Sequence, residues 1–242
     1  MTRRIITWRI ACSFALLCAV PQTGAAQDGR DVFTPPAGCT PELTVQMRSC
    51  RVANIYTCAA DRPGDNWKMV LEADGPVFLS KIDSETQWLE SYDIYPPTRY
   101  QLRLPADDPA SLTELLDTGI DTFDFVQSIG GQPVRVVGYD RLTGDDVVID
   151  NEPLLGTEFE ARYEDANGPY LTVTGREFVS VKHRRFIAGL STRTDGTDTV
   201  ERDHSPVEFV YPGEPGFFTT KPRYDCEAHM ARFVPLEKGA DR

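Results

Sequence analysis

Hydrophobic and polar residues alternate with period two through most of this chain, most clearly from Gly156 to Val181. Thr157, Phe159, Ala161 and Tyr163 fall on one face, and Glu158, Glu160, Arg162 and Glu164 on the other. One greasy face at that period predicts a half-buried β-strand. Asn167-Gly168 is placed to supply the positive φ angles of a tight hairpin turn, and Pro169 stops a helix from running on. Tyr170 to Val181, rich in β-branched and aromatic residues, predicts the returning strand.

The same pattern predicts strands at Leu43–Arg48, Val52–Cys58, Asn66–Glu72, Val77–Ile82, Gln87–Ser91 and Thr98–Leu104. Further strands are predicted at Thr122–Ser128, Val134–Asp140, Val147–Asp150, Phe186–Thr192 and Val207–Tyr211. One helix is expected near 109–118, with Asp108 as N-cap, Pro109 in the first turn, Leu112, Leu115 and Leu116 on one face, and Gly119 as C-cap. About a dozen short strands with a single helix predict a mainly-β fold. An antiparallel meander forming an open or closed barrel, half-barrel or lipocalin-like, is favoured over a sandwich. Half-barrels and lipocalin-like barrels that carry lipids in the bacterial envelope share this pattern of strands with a short helix. No motif matches a family whose activity could be transferred, and fold alone does not give function.

The first 26 residues break the pattern and read as a secretory signal peptide. Arg3, Arg4 and Arg9 form a basic start, Ile10 to Val20 an apolar run, and Gly24-Ala25-Ala26 a small-residue cleavage site before Gln27. The apolar run is shorter than the ~20 residues a membrane-spanning helix needs, so no transmembrane segment is expected in the mature chain. Thr7 stands where a twin-arginine signal wants an apolar residue, and the bulky Leu17 before Cys18 argues against a lipid anchor. The expected organisation is a flexible segment at 27–38, one β-rich domain at 39–235 and a tail at 236–242.

Charge narrows the partners. Without the three basic residues of the signal, the 25 basic residues fall to 22 against 37 acidic ones, a net charge of −15. Such a body repels nucleic acid and anionic surfaces, so no nucleic-acid partner is expected. Arginine outnumbers lysine 20 to 5, which fits a GC-rich bacterial genome. The periplasm is the expected address and secretion the alternative.

Four cysteines remain once the signal is removed: Cys39, Cys50, Cys58 and Cys226. Their spacing fits no zinc motif, and an even number in an exported chain predicts two disulfides. Of three connectivities, Cys50–Cys58 as a local clamp with Cys39–Cys226 joining the ends is preferred.

The standard catalytic and cofactor signatures are absent, so no catalytic residue, cofactor or metal is expected. His183, His204 and His229 are the only histidines; His204 reads as exposed, and His229 as held beside a disulfide. Glu158 and Glu160 are compatible with paired-carboxylate chemistry but read as a solvated face. The acidic loop carrying Asp195, Asp198, Glu201 and Asp203 fails the EF-hand spacing. Two features suit recognition. Lys182, His183, Arg184 and Arg185 form an isolated basic cluster able to hold an anionic group beside an apolar cavity. Phe217 and Phe218 follow the stiff turn Tyr211-Pro212-Gly213-Glu214-Pro215-Gly216 and could contact a partner. The expected function is therefore a non-enzymatic exported protein that binds an apolar or amphipathic, lipid-like ligand or escorts an envelope component. A protein-interaction module of the cell envelope, or a hydrolase with an unrecognised site, is the alternative. Whether Phe159 and Tyr163 fill a core or line a pocket separates carrier from module.

Overall fold

Fourteen strands pair into one antiparallel sheet. The computed structural model describes residues 32–227; the expected signal peptide and cleavage before Gln27, His229 and the expected tail at 236–242 lie outside the described residues. The strands are β1 (Cys39–Met47), β2 (Arg51–Cys58), β3 (Asn66–Glu72), β4 (Gly75–Ile82), β5 (Trp88–Asp93), β6 (Thr98–Asp108), β7 (Ile120–Ile129) and β8 (Gln132–Leu142). They continue as β9 (Val147–Ile149), β10 (Glu152–Asp165), β11 (Gly168–Ser180), β12 (Arg185–Thr194), β13 (Thr199–Asp203) and β14 (Pro206–Val210), and the helix α1 is Leu112–Thr118. Neighbours follow chain order from β1 to β13, except that β9 pairs with β10 off the main path and β14 returns to pair with β1. The free edges β13 and β14 do not hydrogen-bond to each other, so the sheet is open rather than a closed barrel.

The sheet nevertheless curls tightly. Leu43, Val45 and Met47 of β1 share one buried cluster with Leu154 of β10, Ile187 of β12 and Phe209 of β14. Glycines permit the curl. A Cβ on Gly138 would collide with the Glu160 carbonyl oxygen and the Phe123 ring, and one on Gly175 with the Leu190 carbonyl oxygen and the Phe159 ring. Missing side chains at such places let neighbouring backbone approach where a sheet bends.

Local chemistry sets the ends of the elements, with two departures from expectation. The helix is capped by Ser111, not Asp108: its hydroxyl accepts a hydrogen bond from the Glu114 N–H at 3.1 Å. Asp108 is instead the last residue of β6 and accepts from the Thr122 hydroxyl at 2.8 Å. Gly119 caps the other end as expected, at φ +88°. Ser111→Ala should cost about 1 kcal/mol in chemical denaturation; an unchanged midpoint would remove the cap from the account. At the β10–β11 hairpin the two-residue loop is Ala166-Asn167, and only Gly168 takes positive φ.

The disulfides are Cys39–Cys58 and Cys50–Cys226, which corrects the preferred pairing. Cys39 and Cys58 are directly opposed in the β1–β2 ladder, with Cα atoms 3.9 Å apart. Cys50 sits in the β1–β2 turn, where its N–H donates to the Tyr224 carbonyl at 2.8 Å. The segment after β14 is thereby strapped across β1 and β2. Thr44, Gln46 and Asn54 are fully buried beneath it. Asn54 donates to the Thr219 carbonyl at 2.8 Å, Gln46 to that of Lys221 at 3.1 Å, and Thr44 accepts from the Phe218 N–H at 2.7 Å. Two disulfides are the mark of an oxidising, extracytoplasmic environment. No helix among the described residues is long and apolar enough to cross a membrane.

Candidate functional site: an internal cavity

The concave face of the sheet is not packed solid. It encloses a cavity of about 600 Å³, within the range of roughly 300–1,000 Å³ typical of small-molecule sites. Period two supplies the lining: Phe123, Phe125, Gln127 and Ile129 from β7, Phe159, Ala161 and Tyr163 from β10, and Leu171 and Val173 from β11. Phe78 and Trp88 add aromatic surface from β4 and β5. Trp88 meets Phe125 edge-on, with ring centroids 5.6 Å apart. Behind one end, α1 buries Leu112 and Leu115 against Val179 and against Phe186, which itself lines the space. At the other, the exposed Tyr170 and Arg193 join Tyr100 and Tyr163 and mark the opening. Phe159 and Tyr163 thus line a pocket; Phe178, by contrast, packs against the cluster around β1.

Charged groups interrupt this apolar wall at depth. Lys68, Asp140 and Glu177 all line the cavity. Lys68 is half-buried because its side chain faces the enclosed space, and among the described residues its ammonium makes no hydrogen bond. Burial, reinforced by the charge of Arg185, pulls its pKa down to about 8. Burial likewise raises Asp140, which also feels the charge of Asp121, and raises Glu177, which feels that of Asp140. Asp121 stands directly opposite Asp140 in the β7–β8 ladder and is itself pushed up to about 6, chiefly by burial. All three carboxyl groups are biased toward holding a proton.

A second space of about 150 Å³ adjoins the first and shares Lys68, Phe78, Phe186 and Ala188 with it. Its polar lining is basic: Lys68, Arg51, Arg185 and His204. Arg51 is paired with Glu72, and His204 lies 3.4 Å from it through Nδ1. His204 is therefore not the exposed residue expected; burial and the nearby Arg51 lower its pKa to about 4. Arg185 is 3% exposed. One Nη donates to the Asn66 side-chain carbonyl, and the other finds no partner among the described residues.

The Lys182–Arg185 cluster is consequently not one patch. Lys182 Nζ pairs with Glu152 at 2.6 Å, and His183 Nε2 lies 3.1 Å from the Tyr211 hydroxyl, which also donates to Glu152. Arg184 leaves the other way, to Glu85 at 2.7 Å. Of the four, Arg185 alone lines one of these two spaces. Phe217 and Phe218 contact each other with centroids 5.0 Å apart, and Phe218 is buried against Phe33, which puts its ring out of a partner's reach. Glu158 pairs with Arg141 and Glu164 with Arg135, an ion-paired outer coat. The acidic stretch carrying Asp195, Asp198, Glu201 and Asp203 is partly strand β13, and no group of three or more His, Cys, Asp or Glu suited to a metal occurs among the described residues.

Lys68, Asp140 and Glu177 were missed as site residues, though two of them carried a signal. Val134, Val136, Gly138 and Asp140 share a period, as do Leu171, Val173, Gly175 and Glu177. A carboxylate ending an apolar period-two run points inward. No family model, curated protein or solved structure matches this chain.

Proposed function

We propose that the protein is an exported, non-enzymatic carrier, working in the periplasm, that holds an apolar or amphipathic small molecule inside its curled sheet. The observation supporting this reading is the cavity of about 600 Å³ walled by Phe78, Trp88, Phe123, Phe125, Phe159 and Tyr163. Enclosed apolar space of this size costs dispersion contacts that a filled core would keep, and a ligand restores them. Escort of an acylated envelope component uses the same space.

Native mass spectrometry of protein purified from a periplasmic extract tests it. The expected result is a mass above that of the polypeptide, lost on denaturation. Val173→Trp, which fills the lumen from β11, should lower the occupancy several-fold while the native fold and both disulfides persist. A bare polypeptide mass, together with no uptake of added long-chain alcohols, esters or acids, would overturn the reading.

A further inference from the structure

The inner end of the cavity differs chemically from its walls. Arg185 opens β12 and lines the smaller space that continues the main cavity past Lys68, Phe78 and Phe186. It is 3% exposed and makes no ion pair among the described residues. Its one protein hydrogen bond goes to the neutral amide of Asn66, and the other Nη is unsatisfied. Lys68 adds a second cation with its ammonium open to the shared wall. Glu177 is the carboxylate across from Lys68, and Glu42 is the one acting on Arg185; neither is hydrogen-bonded to these cations.

Burying an ion without a partner is among the most expensive things a protein can do. A structural arginine in such a place is normally fork-bonded to a carboxylate. Here burial holds the cavity carboxyls toward their neutral forms, so they compensate the cations only in part. Arginine cannot follow by giving up its proton at neutral pH. An apolar lumen that ends in two under-compensated cations is complementary to one kind of molecule.

We infer that the cavity takes a single-chain amphiphile with an anionic head, a carboxylate or a phosphate monoester, the head held by Arg185 and Lys68 and the chain running along Phe78, Trp88 and Phe125 toward Tyr163. This rests on the carrier reading above and adds to it the polarity and orientation of the ligand. Lys68, facing the shared space, supplies the direct charge-assisted contact, and the unsatisfied Nη of Arg185, covered in the empty protein, becomes a donor to the head group once its side chain turns toward that space.

The test compares ligands of one chain length in titration calorimetry with the delipidated full chain: dodecanoate, dodecyl phosphate, methyl dodecanoate and dodecanol. At least one anionic ligand should bind ~10-fold or more tightly than the two neutral ones, the scale of one or two hydrogen bonds to charged groups. The tighter of the two anions identifies the head group. Arg185→Met and Lys68→Met should each erase that preference while the neutral ligands bind as before. Because a buried, poorly compensated charge is being removed, ligand-free Arg185→Met should melt at or above the wild-type temperature. Lys68→Met, at a position already open to the cavity, keeps the test alive if Arg185→Met does not fold. Equal affinity for all four ligands in the wild type would overturn the anionic head and leave the carrier standing. Binding of none would overturn both. Undiminished preference in Lys68→Met, with a lower melting point in Arg185→Met, would assign the two cations to structure and overturn the inference.

Discussion

Replacing Cys50 and Cys226 together by alanine should lower the melting temperature by about 10–20 °C, more than removing Cys39 and Cys58. The bonds close loops of very different length, 176 residues against 19. Constraint of the unfolded chain grows with the logarithm of that length and amounts to about 5 kcal/mol for the longer loop and about 3 for the shorter. For a domain of this size each kcal/mol is worth roughly 2–4 °C. The longer bond also holds the strap that covers Thr44, Gln46 and Asn54, so its loss lets water reach groups now bonded to Thr219, Lys221 and Phe218. Scanning calorimetry of the two double variants under non-reducing conditions checks the order. A fall of under about 3 °C for Cys50→Ala/Cys226→Ala would show that the strap is held by its hydrogen bonds alone.

Asp140→Asn should stabilise the protein by an amount that grows as pH rises. Burial and the facing Asp121 raise the Asp140 pKa in the folded state above its unfolded value near 4. Between those two values the unfolded chain releases a proton that the folded chain keeps, so stability falls with rising pH. Asp121, pushed up to about 6, and Glu177 act in the same direction. His204, lowered to about 4, acts oppositely, since the unfolded chain takes up its proton below pH 6.5. Comparing variant with wild type cancels His204 and the surface ion pairs. Urea unfolding at pH 5 and pH 8 should show the advantage of Asp140→Asn growing by about 2–4 kcal/mol, at 1.36 kcal/mol per pKa unit. An advantage independent of pH would mean that Asp140 is ionised throughout this range.

Several parts of this architecture were legible in the amino-acid order because they are decided by neighbours in the chain. Alternation put Phe159, Ala161 and Tyr163 on one face and their charged neighbours on the other, and the sheet keeps both assignments. Gly119 announced the end of α1. The capping residue was misplaced because Asp108 and Ser111 are both good caps, and pairing of β6 with β7 as far as Asp108 settles the choice. Strand β13, polar on both faces and exposed, carries no hydrophobic period to detect.

Residue order alone was therefore enough for the meander, its short helix, the cysteine content and the greasy face of most strands. Only the tertiary structure decided that those faces surround open space instead of filling it, because curvature depends on how fourteen strands bend together. It also decided that Thr44, Gln46 and Asn54, polar residues in solvent-facing phase, are buried under a strap from the far end of the chain. The Lys182–Arg185 run shows the division most sharply. In sequence it is one basic cluster; in space Arg184 takes a positive φ of 43° and Arg185 pairs across to Ser180. That single reversal sends three side chains to partners elsewhere, Lys182 and His183 to Glu152 and Tyr211 and Arg184 to Glu85, and carries the fourth cation inside. Local residue types fix charge, but the path of the backbone fixes which charge meets the cavity.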